Sequence, residues 1–555
     1  MILLAAAVFI PLLLRLWKLG VIPEGLHADE AAFGYHAYSL LKTGRDADGN
    51  FLPLVVDIFT YKIGAVYAYL SIPFVALTGL SELAVRLPSV IAGLILVPVI
   101  YFLVFELVRD WKIALISALV YTLSPSAVYL SRIQSDPLLA VFFYLAGITL
   151  FFIYIRKRQI GYLLAGTVMQ AVAVFTHPLA SAITPAGVIL SFFYFGKRHL
   201  GKVKWQILVY ALAILTISGY GFYFSISRAK EIGFFMNPRA VIALNAAIAE
   251  DGIKNHPALL TRLFHNKLSV HGRLLLDDSA KYLSFEFLFL NAAQPVREKV
   301  NQSGFLYLVE LPFLLVGIYS AFNKYRRQAK YLLIWLILAT LITAAAIDES
   351  PNIHRFFYAA WPLYFFIALG ISDLWKQKSR LGNVIISGKW FVVIPYLLNT
   401  GFFAHQLFIH QPVHEPYYRA FAYKELIPKL EKIKNSYDAI IMTKGQGAPH
   451  IFVLFYSRYD PLEYQLAGSP RDNDFIFFDK YYFVPENCPF NEPIYEKYRT
   501  GGEGRYLFVN RGGCPLALNS RVLDIISWRD GHEAFQVVES AATPSGIIRQ
   551  AGPAE

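Results

Sequence analysis

A polytopic α-helical membrane protein with a C-terminal soluble α/β domain is the fold class that this 555-residue chain predicts. Charged residues make up only 16% of it, where soluble proteins carry about a quarter. The mean hydropathy is +0.44. Several windows stay almost free of charge for roughly 20 residues, the length of a bilayer span. The net charge of +12 does not point to nucleic acid. Lys and Arg gather in short loops between apolar runs, which is how membrane orientation is written, and no RNA-binding or helix-turn-helix motif is visible. The expected partner is therefore the lipid bilayer, with no nucleic acid.

In chain order, the first apolar run, 1–14, lacks a basic leader and a small-residue cleavage site, so it reads as a retained anchor. Arg15 and Lys18 then snorkel at its far end. Spans follow near 84–107, 112–130, 134–155, 160–176, 178–196, 205–227, 305–323, 330–347, 355–374 and 388–407, about eleven with the first at 2–19. The loops at Arg109–Lys112, Arg156–Arg158, Lys197–Lys204, Lys324–Lys330 and Lys376–Lys389 are basic and face the cytoplasm. The alternate connections then face out: His27–Asp57, Arg132–Asp136, His177, Arg228–Gly304 and Asp348–Arg355. The run Lys62–Gly79 is apolar enough to span, but parity would then separate Asp29 from Asp136. With Pro73 near its middle, it fits an interfacial helix of the first outer loop, 20–83. Residues 1–407 thus form a transmembrane domain with a second long outer loop at 228–304. Residues 408–555 form a soluble domain on the outer face. There, Leu426–Ile433 has helical spacing, "DAIIMT" and "RYLFVN" read as strands, "PHIFVLFYSR" as a helix and "NDFIFF" as a further strand.

The outer connections collect the candidate chemistry. His27, Asp29 and Glu30 open a segment whose Phe33, Ala37, Leu40 and Leu41 share one helical face, so the acids sit where a helix dipole favours ionised carboxylates. The plainer reading is a capped surface helix. Arg132 and Asp136 lie four apart at a span start, which puts them on one helix face; the plainer reading is an ion pair. His177, in "FTHPLA", sits at an outer turn, where a cap is the plain alternative. His354 and Arg355 open a span from the outside, and Lys62 opens the interfacial run. Lys62, Arg132 and Arg355 are cations on the face that should be poor in them, and a lipid phosphate would answer all three. Asp46 and Asp48 form a D-x-D that reads as an Asp-Gly turn.

"HADEAAFGYHAYSLLKTG", "YKIGAVYAYLSIPFVALTGLSELAVRLPSVIAG", "SRIQSDPLLAVFF" and "HRFFYAAWPL" together resemble the GT-C superfamily of membrane glycosyltransferases. The likeness is to the branch of protein O-mannosyltransferases and aminoarabinose transferases, and it covers most of 1–407. It implies a GT-C-like fold and a sugar donor carried on polyprenyl phosphate. It implies inverting transfer of a hexosyl or pentosyl group to a hydroxyl of a protein, lipid or glycan at the outer face of the plasma membrane. It makes Asp29 the base, with Glu30 positioning the acceptor or bracing the loop. It makes Lys62, Arg132, Asp136, His177, His354 and Arg355 the donor-phosphate set, although His177 stands where some relatives have lysine. Members differ in using a divalent cation. Asp29, Glu30 and Asp136 are able to hold one, but no ligand spacing requires it, so no metal site or cofactor is assigned.

The alternatives are a transporter or lipid flippase, and a non-catalytic binder of polyprenyl-linked glycolipid. A transporter would place charges deep within spans and on both sides of the midplane; here they gather on one face. Cys488 and Cys514, the two cysteines, fall in the outer domain, where an oxidising compartment permits a disulfide.

Overall fold

The computed structural model describes residues 2–59, 61–200, 204–224, 238–251, 258–292, 300–346, 350–381, 384–414, 419–471, 476–492, 504–517 and 520–540. Arg228 and Asp348, which bound two of the expected outer connections, lie outside the described residues, as do Asn473–Phe475 of "NDFIFF". The chain separates into two compact units. The first is Met1–Pro23, His36–Asp46 and Asn50–Pro412; the second is Glu24–Tyr35, Ala47–Gly49 and Val413–Glu555.

The first unit is helical. It opens with α1 (Ile2–Leu16), and the end of α2 (Ala28–Thr43) belongs to it. A hairpin follows, β1 (Val55–Ile58) and β2 (Tyr61–Gly64), then α3 (Val66–Thr78), α4 (Glu82–Val108), α5 (Trp111–Leu123), α6 (Pro125–Ser131), α7 (Asp136–Lys157), α8 (Ile160–Thr176), α9 (Ala180–Leu200) and α10 (Lys204–Phe224). Shorter helices, including Lys267–Tyr282, occupy the long connection after α10. The helices Glu310–Lys324, Arg326–Ala344, Ile353–Trp375 and Gly388–His405 complete the unit. Helices lie at each expected span, but the one expected at 112–130 is two helices, α5 and α6. Among the described residues six are long and apolar enough to cross a membrane, or seven if α5 and α6, bent by 60° at their junction, count as one. Pro125 opens α6, where a missing N–H costs the helix nothing. Close helix contact is bought with glycine: a Cβ on Gly317 would lie 1.7 Å from the Phe366 carbonyl oxygen, and one on Gly370 1.9 Å from that of Phe313.

Two expectations change. The Lys62–Gly79 run is not one helix. Its first residues form β2, paired with β1 in the register Asp57 opposite Lys62, and the helix begins only at Val66. The Arg132–Asp136 pair does not share a helix either. Arg132 caps the end of α6, and α7 starts afresh at Asp136, with Ser135 as its N-cap and Pro137 in its first turn. Proline disfavours helical geometry in the residue before it, so the break is written into the sequence.

The second unit carries a six-stranded mixed sheet in the order β6-β7-β5-β8-β10-β9. The strands are β5 (Ala439–Thr443), β6 (Ile476–Phe478), β7 (Tyr481–Val484), β8 (Tyr506–Arg511), β9 (Ser520–Ser527) and β10 (Glu533–Ser540). β5 runs parallel to β7 and β8, and every one of its residues is buried, as its unbroken apolar run requires. β10 is antiparallel to β8 and β9. Ile441, Val484, Phe490, Phe508 and Val538 form a core on the sheet. Cys488 and Cys514 are joined in a disulfide across 26 residues. The helices Phe421–Ile433 and Pro449–Ser457 fall where "PHIFVLFYSR" and the spacing before β5 put them.

Candidate active site

The acid pair sits in the first turn of α2. Glu30 is buried, and its Oε2 accepts the His27 N–H at 2.9 Å. That is the reach-back half of a capping box, in which a third-position Glu satisfies the N–H of the capping residue. His27 answers in the other direction, with Nδ1 lying 3.3 Å from the Asp29 N–H. The same Nδ1 lies 3.5 Å from Asp29 Oδ2. One nitrogen cannot accept from the amide and donate to the carboxylate at once. Glu30 also pairs with the Arg419 guanidinium, the two side chains being 2% and 4% exposed. The Asp29 side chain remains 30% exposed. The expected amphipathic face of α2 is only part of the truth. Phe33, Ala37 and Leu40 are buried and Leu41 is exposed, but Ala31, Ala32, Tyr35 and His36 are buried as well. Apart from Ala28 and Asp29, the first half of the helix is buried.

In the first unit, the segment before α7 and the start of the helix Ile353–Trp375 come together. The Ser135 hydroxyl lies 2.9 Å from His354 Nδ1. As the α7 cap, the same hydroxyl accepts the Leu138 N–H at 3.2 Å. Asp136 is buried and accepts from Gln134 Nε2 at 3.1 Å. His177 closes α8; its Nδ1 accepts the Leu179 N–H at 3.3 Å, and its ring centroid lies 6.2 Å from that of Tyr358. The Asp136 charge acts on that same tyrosine. Asn352 caps the helix Ile353–Trp375 by accepting the Arg355 N–H at 3.2 Å, while its own N–H donates to the Tyr282 hydroxyl at 2.9 Å. The Arg355 charge reaches Tyr282 too. Lys62, on the β2 strand, is half exposed and lies 3.5 Å from Asp57 Oδ2 across the hairpin.

Arg132 is engaged elsewhere. Nη1 donates to the Leu14 carbonyl at 2.6 Å, and Nη2 to those of Trp17 and Ile22 at 2.8 and 2.7 Å. Arg86 donates to the Leu19 carbonyl, and Arg15 to those of Pro11 and Thr122. The last carbonyls of a helix have no partner within it. Where α1 ends in buried surroundings, three guanidiniums supply the donors.

Of the acids considered as cation ligands, Glu30 is already engaged by Arg419 and the His27 amide. His36 and Asp46, both of the first unit, bring ligand atoms within 4.8 Å. His36 Nε2, however, faces the Asp57 carbonyl at 3.0 Å, and both Asp46 oxygens accept from Asn50. The D-x-D is thus an Asp turn, with Asp48 paired to Arg471. Glu24, Ser135, Arg419 and Arg529 were not picked out by the sequence. Ser135 was open to recognition as a Ser-x-Pro cap. Arg419 pairs with a residue 389 positions away, and no local pattern encodes that.

Known proteins were compared with this chain. Residues 64–222 match the family model described as dolichyl-phosphate-mannose-protein mannosyltransferase. The resemblance to membrane glycosyltransferases of the GT-C superfamily therefore stands, on the stretch from β2 to α10. The fold is similar to that of ArnT from Cupriavidus metallidurans bound to undecaprenyl phosphate, with a TM-score of 0.55 and 13% identity over 99% of both chains. Against the apo form of the same protein the TM-score is 0.52, at 14% identity over 97% of both. The archaeal oligosaccharyltransferase AglB from Archaeoglobus fulgidus, in complex with an inhibitory peptide and a dolichol-phosphate, gives 0.48 at 15% identity. This chain spans 63% of that protein's length, and 82% of this chain is covered. No curated protein matches the sequence. The chain is a multi-pass membrane protein with a mixed-sheet C-terminal unit and an ArnT-like fold.

Proposed function

We propose that this protein is an inverting glycosyltransferase that moves a hexosyl or pentosyl group from a polyprenyl-phosphate donor to a hydroxyl acceptor on the outer face of the plasma membrane. The observation that carries the reading is the division of labour in the first turn of α2. Glu30 is buried and fully engaged, whereas Asp29 beside it keeps 30% of its side chain exposed. Asp29 is the base. As the acceptor oxygen bonds to the anomeric carbon, its proton passes to the Asp29 carboxylate. The bond from that carbon to the phosphate oxygen breaks, and the lipid phosphate leaves as an anion. Glu30 braces the turn.

Growing negative charge on the leaving phosphate calls for fixed donors. His177, whose Nδ1 accepts the Leu179 N–H, and His354 act as ring N–H donors to it, and Lys62 and Arg355 add positive charge. Asp136 and Gln134 order the start of α7 beside them. Arg132 serves this site indirectly, by holding the carbonyls at the end of α1. Residues 1–407 are the membrane-embedded catalytic part, with about eleven spans and the hairpin and α3 at the interface. Residues 408–555 are the exoplasmic part, a side on which the Cys488–Cys514 disulfide is at home. No step is routed through a metal.

The test is release of polyprenyl phosphate from a panel of polyprenyl-phosphate sugars by purified protein in lipid nanodiscs. Asp29→Asn is expected to lower kcat by about a thousandfold, within the range of general-base catalysis, while donor binding persists. Equal turnover in both proteins would remove Asp29 from the chemistry. Donor binding without turnover across the panel and a range of hydroxyl acceptors would favour a glycolipid-binding protein.

A further inference from the structure

We infer that Arg419, in the C-terminal part of the chain, is a positioning residue for the acid pair, so that the second unit belongs to the catalytic machinery and is not an accessory cover. The inference rests on the reading of Asp29 as the base.

Segment 24–35 is built into the second unit at four points. The Arg419 guanidinium pairs with Glu30, both buried. Arg529 Nε lies 2.5 Å from Glu24 Oε2, and its guanidinium stands 5.5 Å from the Phe421 ring. The Tyr35 hydroxyl donates to the Tyr459 carbonyl at 3.2 Å. Between these contacts the backbones run against each other at Gly25, whose φ is +70°. A Cβ there would stand 2.3 Å from the Arg419 carbonyl oxygen and 2.7 Å from Phe421 Cα. Only glycine fits both the left-handed geometry and the approach.

The consequence for Asp29 follows through two hydrogen bonds. Glu30 is held by Arg419 on one side and holds the His27 N–H on the other; His27 Nδ1 then holds the Asp29 amide. Without Arg419 the Glu30 carboxylate is a buried anion without its counter-charge, and such a group turns toward water. His27 then loses its acceptor, and the first turn of α2, which carries Asp29, frays. Charge works in the same direction. Asp29 stands 3.5 Å from His27 Nδ1 and adjoins Glu30, whose charge Arg419 balances, while Arg529 balances Glu24 on the same segment. Deleting the Arg419 charge leaves Glu30 uncompensated next to Asp29, and a like charge nearby makes a carboxylate harder to ionise.

Full-length protein in nanodiscs, assayed by polyprenyl-phosphate release from undecaprenyl-phosphate sugars, tests this with Arg419→Gln and Arg419→Lys. A misplaced catalytic group costs on the order of 100-fold. Arg419→Gln is therefore expected to lower kcat by about that factor, with donor KM within about twofold of wild type. The acid limb of its pH–rate profile should move up by about one unit. Arg419→Lys should recover about tenfold of the lost rate, because it restores the charge but not the planar fork. Hydrogen exchange of the peptide spanning 25–33 should be faster in Arg419→Gln. A glutamine variant with wild-type kcat and pH profile overturns the inference, as does a loss that lysine does not relieve. If the glutamine variant does not fold, the lysine variant carries the measurement: a kcat loss with an unchanged KM supports the role, and wild-type kcat overturns it. A wild-type protein silent with every donor sinks the assignment of Asp29 instead. The exchange arm then still decides whether Arg419 holds the segment, unchanged exchange meaning that it does not.

Discussion

Arg132 in the first unit and Arg419 in the second are both buried guanidiniums, and each holds groups more than a hundred residues earlier in the chain. They differ in what they hold. Arg132 gives its hydrogen bonds to three backbone carbonyls at 14, 17 and 22, with Arg86 and Arg15 doing similar work nearby. Arg419 meets a carboxylate, as Arg529 does. A carbonyl has the same dipole at every pH and takes no part in proton transfer, so a guanidinium on carbonyls is a fastening. A guanidinium on a carboxylate sets a charge as well as a position, and here that carboxylate adjoins the residue assigned as base. The same side chain therefore predicts lost folding in one region and lost rate in the other.

The sharpest way to break this contrast is Arg132→Gln. Each buried carbonyl left without a donor costs about 1–3 kcal/mol, and two are at stake, those of Leu14 and Ile22, with the part-buried one of Trp17 beside them. The variant is expected to lose about 3 kcal/mol or more, seen as a lower yield of monodisperse protein and a lower thermal midpoint. Any protein that does fold should keep its donor affinity. A well-folded Arg132→Gln with a donor Kd raised tenfold would return Arg132 to the phosphate.

Much of the fold was open to reading because it is written in runs. A span is a local property, so the helices α4, α7 and α10 fall where charge-free windows begin and end, and β5 falls on "AIIMT". Loops at span ends were legible through charge, and that gathered Asp136, His177 and His354. What the sequence concealed is pairing at long range. Arg419 follows nothing that marks it as a partner of Glu30, and a sequence shows the charge of Arg132 but not the three carbonyls it meets. Strands β9 and β10 escaped notice for a related reason. β9 alternates part-exposed and exposed residues over most of its length, so no apolar run announces it. The break between Arg132 and Asp136 was legible in Ser135 and Pro137, and helical spacing across it was the wrong period to apply.

The two regions should also part company under reductant. The disulfide closes a loop of 26 residues between the turns after β7 and β8, beside the core that includes Phe490 and Phe508. Loop closure of this size stabilises by about 3 kcal/mol. Replacing both cysteines by serine is expected to speed exchange of the β7 and β8 amides and to leave the amides of α4 and α7 unchanged. If α4 and α7 loosen equally, the two units unfold as one, and the contrast between their arginines loses its independent readout.

Acid is the gentlest probe of the same contrast. His450 is buried in the helix Pro449–Ser457, its ring centroid 6.3 Å from that of Phe483. Burial, together with the charges of Lys444 and Arg471, lowers its pKa from 6.5 to about 4. In the unfolded chain the ring takes up a proton as pH falls through 6.5; in the folded unit it waits until about 4. Between those values the unfolded state binds more protons, so stability of the second unit falls as pH falls. The loss is about 1.4 kcal/mol at pH 5.5 and approaches about 3 kcal/mol below pH 4. Exchange of the β5 and β8 amides in wild type should therefore quicken by about tenfold between pH 7 and pH 5.5, after correction for the intrinsic rate. In His450→Gln that pH dependence should vanish, whatever the variant's stability at pH 7. The carbonyl-bound arginines of the first unit give no such window, and α7 serves as the internal control. If His450→Gln keeps the acid sensitivity, the titrating group is a carboxylate of the second unit, and the Glu24–Arg529 and Glu30–Arg419 pairs are the ones to examine by the same measurement.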